Sequence, residues 1–439
     1  MDASSYFAGK KITVMRIGLL GRGVGDTAFL AKCGADILVV DDAPQEVMQP
    51  SVDALKEFKN VKFKFGKYDL ADFKDRDLIL KGSGTPIDSP EIAEAQKNNI
   101  PVRMSADLFA EIAGIMCIGI TGTRGKTTTT YLIQAILEEA GKKVLLGGNV
   151  RGVSTLALLE VVQGDEVAVL ELDSWQLQGF GEAHLSPHVA VFTTFFPDHL
   201  NYYKGGLREY LRDKANIFLN QNEGDTLILG SQASSIVRDE YQDEILSDIV
   251  IAGVEDVPED WHLLIPGEHN RYDAACALAT ARALFIGDDI SRTALENFKG
   301  VPGRLELVRE VGGVKIYNDT TATTPEATLA ALAAVDNGER GTVLIMGGAD
   351  KGLDMNALLH EIPKYAKRVI MLKGTGTDKV LEFLPGASVF DSLEAAVAEA
   401  TQAATEGDTI LFSPAFASFG MFANEYDRGD QFDAIVQGL

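Results

Sequence analysis

The segment Gly122-Thr-Arg-Gly-Lys-Thr127 lies between an apolar run, Met116 to Ile120, and a stretch that reads as a helix to Ala140. Residue types at this spacing hold phosphate. Glycine lets the backbone wrap closely around phosphate oxygens, and a helix N-terminus adds unpaired N–H groups and partial positive charge. Lys126 then reaches the β- and γ-phosphates, and Thr127 is placed to ligate Mg²⁺. The longer G-x-x-x-x-G-K-[ST] pattern is incomplete, because Ile120 stands where its first glycine would fall. An ordinary glycine turn with an incidental lysine is the other reading; a strand before and a helix after favour phosphate.

A second group of chemistry-bearing residues follows. Glu171 sits near the end of the apolar run Val167 to Leu172, ahead of Asp173-Ser-Trp-Gln176. Asp198-His199 follows the apolar run Val189 to Thr193. In an α/β sheet the C-terminal ends of strands face the ligand crevice, so both positions are suited to a site. Lys214 lies fifteen residues after His199 on a segment that reads as helix. By residue type alone it is an ordinary surface lysine.

The elements that carry these residues repeat as strand, glycine turn and helix. An apolar stretch, Lys11 to Leu20, enters the glycines Gly21, Gly23 and Gly25; a helix over Asp26–Cys33 and a strand over Asp36–Val40 follow. Leu78 to Leu80 is a short strand and Pro90 to Asn98 a helix. Strands are also expected at Lys143–Leu146, Lys315–Tyr317, Thr342–Met346, Arg368–Leu372 and Thr409–Phe412, with helices over Pro325–Ala334 and Leu393–Ala404. Strand–helix alternation of this kind builds parallel sheets. The expected organisation is three α/β domains, 1–112, 113–302 and 303–439: a Rossmann-like domain, a central P-loop ATPase-type domain and a second Rossmann-like domain.

The chain has 439 residues, enough for about three domains. Its composition, 46% apolar and 24% charged, is that of a soluble globular protein. The net charge of −24 argues against nucleic acid or an anionic membrane as partner, so any phosphate must be held by local N–H groups and a few placed cations. Three cysteines, Cys33, Cys117 and Cys276, form no C-x-x-C pair, which supports neither a disulfide framework nor a cysteine zinc site. The N-terminal Met1 to Lys10 lacks the apolar stretch of a signal peptide. No apolar run approaches the length of a membrane span, and a cytoplasmic protein is expected.

The run Ile120-Thr-Gly-Thr-Arg-Gly-Lys-Thr-Thr128 resembles the short nucleotide loop of the Mur ligase family, the ATP-dependent amino-acid ligases of peptidoglycan synthesis. Glu-Leu-x-Ser-x-Gln, Asp-His and the later lysine match that family as well, and the resemblance covers nearly the whole chain. It implies three domains that bind, in chain order, a UDP-sugar, ATP and the incoming amino acid. It implies that Glu171 and His199, with Thr127, hold two Mg²⁺ ions, and that Lys214 is carbamylated by CO₂ and helps place a metal. It assigns ATP to Gly122, Thr123, Arg124, Gly125, Lys126, Thr127, Thr128 and Thr129, and further to Asn270 and Asp273, to Arg304 and to Asp319. Catalysis then falls to Lys126, Glu171, His199 and Lys214. Arg124 stands where the family usually has Asn, and Asp173 where glutamate-adding members usually have Ser.

Gly21-Arg-Gly-Val-Gly25, with Asp41 about twenty residues on, imitates a dinucleotide fingerprint, but the spacing is not G-x-G-x-x-G, which disfavours a nicotinamide-dependent dehydrogenase. The resemblance instead places a UDP-sugar against Gly23, Val24 and Gly25, with Asp41 or Asp42 at the ribose, Ser83-Gly84 as a second loop and Asn149 at the sugar-phosphate end. Ser413-Pro-Ala-Phe-Ala-Ser-Phe419 and Asp427-Arg-Gly-Asp-Gln-Phe432 look like the C-terminal motif of the members that add glutamate. Thr323, Lys351 and Ser418 then match the glutamate-binding positions, whereas Thr321 replaces a lysine. The expectation is a monomeric ligase joining glutamate, usually D in this family, to UDP-N-acetylmuramoyl-L-alanine through an acyl phosphate. The rivals are another Mur-type or folylpolyglutamate-type ligase, and an ATP-binding regulatory module without activity.

Overall fold

The computed structural model describes residues 2–19, 21–199 and 202–439; Met1, Leu20, Leu200 and Asn201 lie outside the described residues. Three sheets follow one another along the chain. The first comprises β1 (Lys11–Met15), β2 (Asp36–Asp41), β3 (Val61–Phe65), β4 (Leu78–Lys81) and β5 (Val102–Arg103), in the order β3-β2-β1-β4-β5. The second comprises β6 (Met116–Thr121), β7 (Lys143–Gly148), β8 (Glu166–Glu171), β9 (Val189–Phe192), β10 (Thr226–Gly230) and β11 (Asp248–Ala252), in the order β11-β10-β9-β6-β8-β7. Every pairing in both is parallel. The third comprises β12 (Glu306–Val311), β13 (Val314–Asn318), β14 (Thr342–Gly347), β15 (Ala366–Leu372), β16 (Ser388–Phe390) and β17 (Thr409–Phe412), in the order β12-β13-β17-β14-β15-β16. Only its β12–β13 edge is antiparallel.

These strands read as nearly continuous apolar runs because helices cover both faces of a parallel sheet. All six residues of β14 and the last five of β6 are buried. Each apolar side chain buried this way contributes about 1.5–3 kcal/mol. The helices between start where the sequence supplies a cap. Ser89 precedes Pro90, Thr324 precedes Pro325 and Ser392 precedes Leu393, and each hydroxyl accepts from the N–H three residues on.

By contacts the chain divides into two compact units: Met1–Val257 with Asp273–Ala294, and Pro258–Tyr272 with Leu295–Leu439. The first holds the first two sheets and the second holds the third sheet. The helix Glu268–Ala283 contributes to both.

Two expectations change at the N-terminus. The first strand ends at Met15 rather than Leu20, because Arg16 and Gly18 adopt positive φ (61° and 67°) and turn the chain away from the sheet. The following helix begins at Arg22, not Asp26, so Gly23, Val24 and Gly25 form its first turn. Strands β3, β5, β10, β11, β12 and β16 were not expected from the sequence. Several of them are short or half-exposed, such as β3, whose Lys and Phe residues alternate.

Within the first unit, buried Asp26 fastens the first sheet's layer to the second's. Its Oδ1 accepts from Ser105 Oγ at 2.9 Å, Ser154 Oγ at 2.6 Å and the Leu156 N–H at 3.3 Å. Asp26→Ala strands the two serine hydroxyls in a dry setting, while the Leu156 N–H keeps Ser105 Oγ at 3.0 Å, and is expected to cost about 1–3 kcal/mol. Chemical denaturation measures it, and an unchanged midpoint would refute the role of Asp26 as a fastener.

Candidate active site

β6 is the strand at which the order of the second sheet reverses, and the loop Gly122–Gly125 leaves its C-terminal end for the helix Lys126–Glu139. That is the position where open α/β sheets bind ligands. Both loop glycines are required by geometry. Gly122 has φ 144°, and a Cβ on it would stand 2.0 Å from Thr193 Oγ1; Gly125 has φ 84°, and a Cβ would stand 2.2 Å from Asp273 Oδ1. The residues after β9 pin the loop. Thr123 N–H donates to Thr194 O at 2.7 Å and Arg124 N–H to Thr194 Oγ1 at 2.9 Å, while Thr193 Oγ1 donates to Arg124 O at 2.6 Å. Lys126 curls over its own loop and donates to the carbonyls of Gly122 and Thr123 at 3.0 and 3.2 Å. Thr127 and Thr128 are half-buried in the helix's first turn, and Thr129 is fully buried.

Lys214, in the helix Leu207–Ala215, reaches the same place. Only 1% exposed, its Nζ donates to Gly122 O at 2.8 Å and to Thr121 Oγ1 at 3.2 Å. Burial, reinforced by Lys126, pushes its ammonium well below the usual lysine range against the pull of Asp173, Asp198 and Asp213. Glu171 closes β8 and is 3% exposed. Its Oε1 is 3.4 Å from the Asn149 amide, and its Oε2 is buried with no hydrogen-bond partner. A buried carboxylate oxygen left open in this way is suited to a cation. Gly148, φ 81°, makes the approach possible, because a Cβ there would meet Glu171 O at 2.0 Å.

His199 has φ 53° and half-exposes its ring, which lies 4.8 Å from the Trp175 ring. Burial, with Lys126 and Lys214, lowers the imidazole below its usual value despite Asp198, which favours the neutral form able to ligate a metal. Among the described residues no three His, Cys, Asp or Glu side chains converge as a metal cage. The donors present, one carboxylate with an open oxygen, one imidazole and the Thr127 hydroxyl, fit Mg²⁺, which is usually held by one or two carboxylates together with substrate phosphates.

The two departures from the family pattern acquire roles. Arg124 Nη1 pairs with Asp198 Oδ2 at 2.9 Å, beside His199. Asp173 caps the helix Ser174–Glu182, accepting from Gln176 N–H at 2.8 Å, a task serine performs equally well.

Also in the first unit, a cavity of about 270 Å³ opens beyond β1 and β4 and is lined by Arg16, Arg22, Gly23, Lys81, Ser83 and Gln176 among others. Arg16 pairs with Asp42 at 2.9 Å and contacts Gly84 O at 3.4 Å, which gathers the two expected substrate loops. Arg22 Nη1 donates to Asn149 Oδ1 at 2.6 Å, linking the glycine turn to the end of β7. Asp41 is buried and accepts from the Ala43 N–H. Val24 packs against the core of the first sheet, and a Cβ on Gly25 would meet Ser154 Cβ at 2.5 Å, so both are packing positions.

In the second unit, Lys351 Nζ lies 3.4 Å from both Thr323 Oγ1 and Thr323 O. Buried Ser418 follows Ala417, which bridges to Ala349 next to Lys351. The three expected amino-acid contacts therefore gather at the C-terminal ends of β13, β14 and β17. Thr321 turns inward and donates to Gly303 O at 3.0 Å. Asp319 is buried with both oxygens occupied, accepting from Leu305 N–H at 3.1 Å and Ser413 Oγ at 2.8 Å; burial pushes it up to about 7. Asn270 Nδ2 donates to Pro266 O at 2.7 Å, in the first turn of the helix Glu268–Ala283. Arg304 lies in a short bridge with Val301. Sequence reasoning missed Arg16, Arg22 and Lys81, because cations near a glycine turn carry no motif, and it left Arg428 without a role.

A sequence profile of the Mur ligase middle domain matches residues 120–263, and that of the Mur ligase glutamate ligase domain matches residues 303–416. The chain is 36% identical to the UDP-N-acetylmuramoylalanine–D-glutamate ligase of Roseiflexus sp. (strain RS-1), covering 98% of this chain and 99% of the relative. Among solved structures it resembles the UDP-N-acetylmuramate–alanine ligase of Thermotoga maritima, with TM-score 0.62, 19% identity and coverage of 98% and 99%. It also resembles the Thermotoga maritima MurF ligase in complex with ADP, with TM-score 0.60, 17% identity and coverage of 100% and 97%.

The crowding at Gly125 yields a test. Gly125→Ala forces Asp273 aside and strains a positive φ, and is expected to weaken ADP binding by tenfold or more. Titration calorimetry reads this, and wild-type affinity would remove the loop from the nucleotide site.

Proposed function

The chain belongs to the Mur ligase family, and from that premise we propose that it joins D-glutamate to UDP-N-acetylmuramoyl-L-alanine, with ATP going to ADP and phosphate, in peptidoglycan precursor synthesis. The observation that carries the reading is the convergence of Lys126, Lys214 and the loop glycines at the end of β6, with the open oxygen of Glu171 at the end of the neighbouring β8. The domain division 1–112, 113–302 and 303–439 is part of the same proposal, as are a monomeric state and a cytoplasmic location. Among the described residues no helix is long and apolar enough to cross a membrane.

In this mechanism the terminal carboxylate of the substrate attacks the γ-phosphorus of ATP, and ADP leaves. The glutamate amine, having lost its proton, then attacks the acyl phosphate carbon; an amide forms and phosphate departs. The chain's part is to position and to neutralise. Loop N–H groups and the N-terminus of the helix Lys126–Glu139 face the phosphates, and Lys126 exchanges its loop carbonyls for phosphoryl oxygens. Mg²⁺, when bound by Thr127, Glu171, His199 and a carbamate on Lys214, neutralises charge on the transferring phosphoryl group. Lys214 is suited to carbamylation because its buried amine favours the neutral form: the nitrogen attacks CO₂ and releases one proton, and a donor becomes an anion. The cations Arg16, Arg22 and Lys81 give the first unit's cavity the charge that a nucleoside diphosphate requires in so acidic a chain.

The deciding assay supplies purified protein with ATP, Mg²⁺ and UDP-N-acetylmuramoyl-L-alanine, and offers D-glutamate, L-glutamate and other amino acids separately. ADP release that depends on D-glutamate is expected; dependence on another amino acid would overturn the substrate. Lys351→Ala removes the cation beside Thr323 and is expected to raise the glutamate KM about ten- to a hundredfold, leaving the other two KM values little changed. An equal loss for all three substrates would take Lys351 out of the site.

Lys214→Ala is expected to be nearly inactive and partly restored by acetate, which returns an anion to the vacated space. Full activity of this variant in CO₂-depleted buffer would refute the carbamate.

A further inference from the structure

The segment Asp427-Arg-Gly-Asp-Gln-Phe432 has no task in the scheme above, yet it contains Arg428, among the largest fully buried side chains of the described residues. Arg428 lies in the first turn of the helix Glu425–Gln437, whose start is fixed by Asn424 accepting from the Tyr426 and Asp427 N–H groups. Gly429 allows that turn to press close, because a Cβ there would stand 2.6 Å from Thr320 Cγ2.

The guanidinium spans two loops. Its Nε donates to Thr320 Oγ1 at 3.1 Å and its Nη2 to Thr320 O at 2.8 Å, while its Nη1 donates to Phe416 O at 3.2 Å. Thr320 follows β13, three residues before Thr323; Phe416 follows β17, two residues before Ser418. The remaining pairs of loops are joined by other means: Lys351 meets Thr323, and Ala349 bridges to Ala417. On the third side the Ala415 N–H donates to Ala322 O at 2.9 Å and Ser413 Oγ to Asp319 at 2.8 Å, and Arg428 adds a buried fork of three bonds to that side.

Its partners are also unusual in kind. All three acceptors are neutral oxygens, and among the described residues no carboxylate is paired with it. Burying a guanidinium without a counter-ion is costly, and two apolar side chains would join the loops more cheaply. Burial pushes it down to about 10, opposed by Glu425, and so it stays charged at neutral pH. In a chain of net charge −24, a cation held by neutral oxygens rather than by a paired carboxylate is an asset to a site that must accept an acidic amino acid.

We propose that Arg428 is a positioning residue for the acidic amino-acid substrate: it locks the loop after β13 to the loop after β17 and leaves an uncompensated positive charge at their junction for the substrate's carboxylates. This rests on the reading that Thr323, Lys351 and Ser418 hold glutamate.

The test uses the full chain and steady-state kinetics with each substrate varied in turn. Arg428→Met keeps the volume and removes the charge and the fork; it is expected to raise the glutamate KM about ten- to a hundredfold, with the ATP and UDP-sugar KM values unchanged within about twofold. Arg428→Lys keeps the charge but not the fork, and is expected to fall between Arg428→Met and wild type. Guanidinium ion at millimolar concentration is expected to lower the glutamate KM of Arg428→Ala, whereas equal sodium chloride does not. Should Arg428→Met fail to fold, Thr320→Val removes the acceptor of Nε, together with the hydroxyl's own bond to Glu425 O at 3.0 Å, and is expected to raise the glutamate KM a few-fold. An unchanged glutamate KM in Arg428→Met, or in Thr320→Val if that variant has to stand in for it, would overturn the proposal. So would an equal rise for all three substrates, or Arg428→Lys no better than Arg428→Met together with no guanidinium rescue. A wild type that turns over another amino acid overturns the glutamate reading instead, and Arg428 is then judged by the same comparison with that amino acid.

Discussion

Two lysines donate to one carbonyl oxygen. Lys126, from the loop's own helix, and Lys214, from the helix Leu207–Ala215, both bond Gly122 O. Burial disfavours the charge of the deeper amine, and the like charge of Lys126 adds to the cost, so that amine is driven toward its neutral form. The arrangement needs the backbone of Gly122 at φ 144°, where no side chain fits against Thr193. It also needs β9 beside β6, so that Thr193 and Thr194 can hold the loop open. The phosphate loop takes its position from that one crowded turn, while Glu171 comes to it from the end of β8 and His199 from the segment after β9.

The second unit solves a similar problem with the same sheet logic. Three loops leave the C-terminal ends of β13, β14 and β17, and three kinds of contact hold them: a lysine on a threonine, a backbone bridge, and a buried guanidinium. Such loops would otherwise be mobile, since connecting segments carry few buried contacts of their own. Positive charge is used sparingly in both units. With 64 acidic against 40 basic residues, the overall field of the chain repels anions, which leaves any attraction for them to a few placed cations.

The resemblance supplied several residues whose structural duty is more local than expected. Asp319 has both carboxylate oxygens occupied inside the protein, and Val24 and Gly25 serve packing. Asp173 and Arg124, which depart from the family pattern, fit without disturbance, one as a helix cap and the other as the partner of Asp198.

What the sequence by itself determined is local and periodic. Apolar runs of strand length, glycine turns and capped helices declare parallel α/β sheets, and Gly-x-x-Gly-Lys-Thr between a strand and a helix declares a phosphate loop, because both depend on neighbours within a few residues. The half-exposed edge strands β3 and β16 were not legible, since each is short and only partly apolar, with five and three residues, and neither stands out as a continuous apolar run. Lys214 and Arg428 were not legible by type either: each looks like a solvated surface cation until the fold brings Gly122, or Thr320 and Phe416, against it from 92, 108 and 12 residues away. Only the tertiary structure decides which cations lose their water, because desolvation belongs to the packing of distant segments and not to the residue itself.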